Sequence, residues 1–136
     1  MDNSSIFKVW GIRRRLLLTA TSEIDLVTVN KDTFCSTHSH KYKINHFYVL
    51  SGKIQIQSEY GDVILEPGSS FEVRPSLKHR FFAIEDSTMI ELAYVEEGKI
   101  DANDIDRESQ GGRIIEDKAY TLDEMKEKGL LDLWEI

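Results

Sequence analysis

His46-Phe47-Tyr48-Val49-Leu50-Ser51-Gly52-Lys53-Ile54-Gln55-Ile56-Gln57-Ser58 reads as two β-runs hinged on Ser51-Gly52. The first run is aromatic and aliphatic, the second alternates around Ile54 and Ile56, and a glycine between such runs marks a hairpin. The pattern continues on both sides. Ile24 to Val29 ends at Asn30-Lys31-Asp32, Tyr60-Gly61-Asp62 precedes Val63-Ile64-Leu65, Pro67-Gly68 precedes Phe71-Glu72-Val73, and Met89 to Val95 closes the series. Short strands at regular spacing, with no long helical period between them, predict an all-β antiparallel sandwich or barrel. By alternation Phe47, Val49, Ile54, Ile56, Phe71 and Val73 line its inner face, around an apolar cavity suited to a small molecule.

The 136 residues carry 17 Lys+Arg against 24 Asp+Glu, a formal charge of −7. That length argues for one domain, and 40% hydrophobic residues suffice for a core. The acidic balance argues against nucleic acid or an anionic membrane as partner. No apolar run approaches the roughly 20 residues of a membrane span, and the first residues lack a signal-peptide pattern, so a cytoplasmic protein is expected. Arg13-Arg14-Arg15 leads into Leu16-Leu17-Leu18 and reads as the start of a strand with a solvated edge.

Past Val95 the character changes. Ile100 to Gly112 is polar and acidic, and Thr121-Leu122-Asp123-Glu124 has the Ser/Thr-x-x-Glu form of a capping box, with Gly129 a natural stop. Residues 1–112 are thus expected to form the barrel. Residues 113–136 are expected to form a helical tail whose apolar end, Leu130, Leu131, Leu133, Trp134 and Ile136, packs on the barrel or on a partner subunit.

Chemistry concentrates in the histidines. His38 and His40 are two apart, so a strand directs both to one face, as two ligands of one metal require. The same parity sends Cys35, the only cysteine, to the opposite face, a plain buried or outer-face thiol. His46 falls opposite Asn45 and is assigned to the outer layer beside Tyr48, unless a β-bulge reverses it. Arg74 and Arg80 are the basic residues nearest the expected mouth, where they would hold a carboxylate or phosphate or else pair with surface acids. Neither Glu72 nor Glu91 can be singled out as a base.

The spacing carries a resemblance. His38-Ser39-His40, four residues to Asn45 and six to Gly52 resembles the first motif of the cupin superfamily, with Asn45 where a Glu is usual. Gly68 to Val73, through Pro75 to His79, resembles the second, although Pro75 has slipped one place, Ser76 stands for Gly and Ala83 for Asn. Trp10-Gly11, Asn45 to Gly52, Lys78-His79-Arg80-Phe81 and Asp104-Ile105-Asp106-Arg107 further resemble the small barrel domain of type II phosphomannose isomerases and related sugar-phosphate cupins. The resemblance implies a double-stranded β-helix, or jelly-roll barrel, with a short C-terminal helix. It implies one divalent ion (Fe, Mn, Ni or Zn) held by His38, His40 and His79 with Asn45, and a substrate site including Phe47, Arg74 and Arg80. The function implied is a metal-dependent sugar or sugar-phosphate isomerase acting on a small, anionic or sugar-like ligand, in a homodimer. A non-catalytic ligand-binding cupin and an iron-dependent three-histidine dioxygenase are the alternatives, since three imidazoles suit all of these.

Overall fold

Alternation along the strands governs the architecture. A computed structural model describes residues 5–130. Its strands are β1 (Ser5–Lys8), β2 (Gly11–Leu18), β3 (Ser22–Val29), β4 (Thr33–Phe34), β5 (His38–Ser39), β6 (Ile44–Ser51), β7 (Ile54–Ser58), β8 (Gly61–Leu65), β9 (Ser70–Val73), β10 (His79–Ala83), β11 (Ser87–Tyr94), β12 (Asp106–Arg107), β13 (Gly112–Ile115) and β14 (Lys118–Thr121), followed by α1 (Leu122–Lys128). They form two antiparallel sheets of a jelly-roll barrel. One sheet runs β1-β2-β3-β11-β6-β9; the other runs β12-β5-β10-β4-β13-β14, with β7 on β10 and β8 on β7.

Register turns the inward residues into rows across each sheet. In the six-stranded sheet Val27, Met89 and Val49 are neighbours across β3, β11 and β6. The next row is Arg15, Asp25, Glu91, Phe47 and Phe71, and the one beyond includes Glu23, Ala93, Asn45 and Val73. In the facing sheet the order along β10 is Ala83, Phe81, His79, paired with Ile54, Ile56 and Ser58 of β7. Both sheets are therefore apolar toward one end and polar toward the other. The apolar rows close on Trp10, which meets the Phe81 ring edge-on at 5.0 Å, and form the core. The polar rows leave a cavity of about 200 Å³ at the other end.

The tail differs from expectation in its first part. Residues 112–121 form a hairpin, and β13 extends the sheet beyond β4. Its two-residue turn is Glu116-Asp117, both at positive φ (51° and 68°), where Asn-Gly is the usual signature; the sequence therefore carried no ordinary turn signal. The helix itself follows the expected caps. Thr121 and Glu124 make the reciprocal capping box, Gly129 sits at φ 68°, and Met125 is buried. Of the apolar end, Leu131, Leu133, Trp134 and Ile136 lie outside the described residues. Among the described residues no helix is long and apolar enough to cross a membrane.

Gly52 at the β6–β7 hinge has φ 86°, and a Cβ there would overlap the Asp86 carbonyl oxygen and the Ser87 hydroxyl. Gly98 also has positive φ (76°) but faces open space. Gly52→Ala should therefore cost about 2 kcal/mol or more, and Gly98→Ala clearly less. Urea unfolding of the two variants beside the wild type measures the difference.

Candidate metal centre and its cavity

β5 and β10 pair so that His38 and His79 are direct neighbours, and His40 lies just beyond β5. The three ring centroids are 4.4 to 5.9 Å apart. Their potential ligand atoms all lie within 4.8 Å of one another. Each Nδ1 faces a main-chain carbonyl, that of Ser36 for His38 (2.7 Å), Asp104 for His40 (2.6 Å) and Leu77 for His79 (2.9 Å). A carbonyl only accepts, so each Nδ1 carries the proton and donates it, leaving each Nε2 as a bare lone pair. The Nε2 atoms of His40 and His79 are buried and have no hydrogen-bond partner. Such a cost is recovered when a cation is bound, and Nδ1–H held by an acceptor behind is the usual support of a metal-binding imidazole.

Burial disfavours the charged form of all three. It pushes His38 down to about 3, with the neighbouring His79 adding to the effect, and it lowers His40 and His79. The rings are neutral at physiological pH, the state in which they can ligate. The backbone around them is tied from two sides. The Asp104 carboxylate accepts from the amides of Lys41, Tyr42 and Lys43 (2.7 to 3.0 Å), while the Ser76 amide donates to the His40 carbonyl at 2.6 Å. Burial works to raise the Asp104 carboxyl, but those three amides hold it below its ordinary value. Ser76, standing where the motif has Gly, holds φ 74°.

Opposite the histidines the wall is charged. Arg13 and Arg15 point into the barrel, not to solvent, which corrects the reading of the arginine run as a bland edge; Arg14 alone of the three is exposed. Asp25 and Glu91 lie directly across from each other in the register of β3 and β11, two buried carboxylates that repel unless cations sit between them. Arg15 bonds Asp25 at 2.7 Å and Glu23 at 3.0 Å; Arg13 bonds Glu91 at 3.1 Å and approaches Asp25 at 3.6 Å. Glu91, then Asp25, hold Arg13 charged against burial, and burial raises the Asp25 carboxyl against the pull of Arg15 and Arg13. Lys43 pairs with Glu23 at 3.4 Å. Asn45 Nδ2 donates to Glu91 at 2.9 Å, and its Oδ1 is buried without a donor. Lys8 and Arg107 line the same cavity. Burial, then the charges of Arg107 and Arg13, lower the Lys8 ammonium.

The cavity thus brings together His38, His40, Asn45 and Phe47, with the Phe47 ring 6.2 Å from that of His79. Arg74 and Arg80, expected at the mouth, stand elsewhere. His79 faces inward, so Arg80 faces outward by strand parity, stacked on Phe34 at 4.5 Å and bonded to Gln57. Arg74 is exposed and pairs with Glu72 and Glu96. His46 lies on the outer layer as expected, 3.3 Å from Glu72 and stacked on Tyr94. Cys35 departs from its expected face: the strand breaks between β4 and β5, parity lapses, and Cys35 lines the cavity with Ser36. Its Sγ accepts from the Phe81 amide, and burial pushes the thiol up to about 12, so it is no nucleophile.

The family model of the cupin domain matches residues 25–93. Solved structures with the same arrangement include KdgF from Halomonas sp., 23% identical, TM-score 0.59, over 63% of this chain and 79% of that one. Ectoine synthase from P. lautus is 18% identical, TM-score 0.63, over 86% and 88%. Oxalate decarboxylase from Bacillus subtilis is 16% identical, TM-score 0.63, over 76% of this chain but only 29% of that one. These identities show likeness of fold. No curated protein matches the chain.

Two outcomes follow from the geometry. Arg13→Met removes a cation from between Asp25 and Glu91 and should cost about 2 kcal/mol, much of it restored when Glu91→Gln is added, as a double-mutant cycle in urea will show. In metal-free protein these histidines, once unfolded, take up protons from near their ordinary 6.5, whereas folded His38, His40 and His79 stay neutral to lower pH, His38 down to about 3. Stability should be complete above 6.5 and fall as pH drops below it, more gently in His38→Gln.

Proposed function

The chain belongs to the cupin domain family, and from that premise we propose that it is a metal-dependent enzyme of the sugar or sugar-phosphate isomerase type, acting on a small anionic or sugar-like substrate. The observation that carries this reading is the pair of buried, unpartnered Nε2 atoms of His40 and His79, beside His38 and fixed as lone pairs by main-chain carbonyls. His38, His40 and His79 would hold one divalent ion (Fe, Mn, Ni or Zn), with Asn45 Oδ1 as the adjacent oxygen donor. When bound, the ion supplies Lewis-acid polarisation of a carbonyl and neighbouring hydroxyl.

The protein side of the reaction is proton transfer between adjacent carbons. Glu91 is the acid best placed for it, because its charge reaches both His40 and His79 across the cavity and its carboxylate is fixed by Arg13 and Asn45. Phe47, Phe81 and Trp10 form the apolar part of the wall and exclude water. Charge favours an anionic substrate. The wall carries Lys8, Arg13, Arg15, Lys43 and Arg107 against Glu23, Glu91 and the adjoining Asp25, an excess of cations before any metal is added, in a chain whose net charge is −7. We propose that the homodimer contact lies at the exposed apolar side chains Phe7, Leu16, Leu17 and Leu18 of β1 and β2, on the outer strands of the six-stranded sheet.

Elemental analysis of tag-free protein should find close to one equivalent of a divalent metal, lost in His38→Ala/His40→Ala. Glu91→Gln should keep the metal and reduce conversion of aldose to ketose substrates by roughly 100-fold or more. Absence of metal after reconstitution would overturn the metalloenzyme reading. Metal without turnover would make the protein a ligand-binding cupin, and oxygen uptake that needs Fe(II) would make it a dioxygenase.

A further inference from the structure

Five cations line the cavity, and three of them are matched. Arg13, Arg15 and Lys43 each meet Glu91, Asp25 or Glu23. The other two are not. Among the described residues Lys8 has no ion-pair partner, and the side chain of Arg107 reaches only Gln110 Oε1, at 3.4 Å. Yet both line the same cavity, Lys8 half-buried and Arg107 exposed at its rim, in a protein with seven more acids than bases. Two like charges on one concave wall, with acids abundant elsewhere in the chain, repel each other and attract an anion.

The fold sets them on opposite rims. Ile6 is the register partner of Arg13, and Lys8, two residues along β1, shares its face. Arg107 comes from the other sheet, where β12 pairs with β5 and Arg107 is the direct partner of His38. Directly paired residues have Cα atoms roughly 4.5–5.5 Å apart. One rim of this cationic pair is therefore a single strand spacing from the histidine cluster. An anion between Lys8 and Arg107 would lie within the span of a small substrate whose other end meets His38, His40 and His79.

We propose that Lys8 and Arg107 form an anion subsite for the phosphoryl group of the substrate. Guanidinium provides a planar fork for two phosphate oxygens, ammonium a point charge for the third, and a dianion balances both. A monocarboxylate would leave one of the two cations unmatched. The inference rests on the proposed function in one respect: it selects sugar phosphates over free sugars as the substrates of that same cavity. Arg74 and Arg80, the arginines that sequence position suggested for this task, lie outside the cavity wall.

Inorganic phosphate is the first probe, titrated into metal-loaded and metal-free protein and followed by amide chemical shifts. Binding should occur in both states, weaken about tenfold or more in Lys8→Gln and in Arg107→Gln, and persist in Lys53→Gln, a cation outside the cavity. A hexose phosphate should bind about tenfold tighter than the same hexose unphosphorylated, and the double variant should lose that preference. Phosphate binding that survives in the double variant, vanishes on metal removal or fails to occur would overturn the subsite, as would a retained preference for the phosphorylated sugar. Because the metal-free protein is probed directly, loss of the metal reading would leave phosphate binding intact. Loss of the subsite would leave metal content unchanged.

Discussion

Asp25 and Glu91 face each other on neighbouring strands inside the barrel, and much of the structure answers to that confrontation. Two buried carboxylates in direct register cannot both stay charged in a low dielectric without cations between them. Arg13 and Arg15 supply these, and they come from β2, the strand beside β3. The pairing of β2 with β3 is therefore an electrostatic requirement as well as an extension of the sheet. The same network orients Asn45 through Glu91 and reaches the histidines through the field of Glu91.

Position along the barrel separates stability from chemistry. Val27, Met89, Val49, Ile54, Ile56 and Phe81 pack at one end and supply the apolar burial that a chain of this size needs. Polar and charged residues take the other end, and the cost of burying them is tolerated where the core is already complete. Rows fixed by strand register make this division sharp, because a slip of one residue turns the whole inward set of a strand to the outer face. Phe47 stands at the boundary, in contact distance of both Phe81 and His79.

The strands and the barrel were legible because each rests on a short-range regularity, alternation and Gly at the turns, and the H-x-H pair because parity sends both rings to one face; His79 was joined to them only through the resemblance to the cupin motifs. His46 was legible through parity as well, and the register irregularity of the β6–β11 pair falls at Thr88/Met89, away from it. Arg13 and Arg15 were not legible. Charged residues on a strand default to solvent, and only pairing the two alternations, Arg13/Arg15 with Glu23/Asp25 on the next strand, would have shown that the set is self-neutralising and faces inward. Cys35 escaped because parity counts only while a strand is unbroken, and the chain leaves β-structure at 35–37. The Glu116-Asp117 turn escaped because its residues are poor representatives of its geometry.

The three acceptors behind the histidines are main-chain carbonyls, those of Ser36, Leu77 and Asp104. A side-chain acceptor can be deleted by one nucleotide change; a carbonyl of the backbone is present whatever residue occupies the position. Drift at these three positions would therefore leave the tautomers of His38, His40 and His79 intact so long as the chain follows the same path. Ring orientation is inherited through the course of the backbone, and the identities of the neighbouring side chains are left free to diverge.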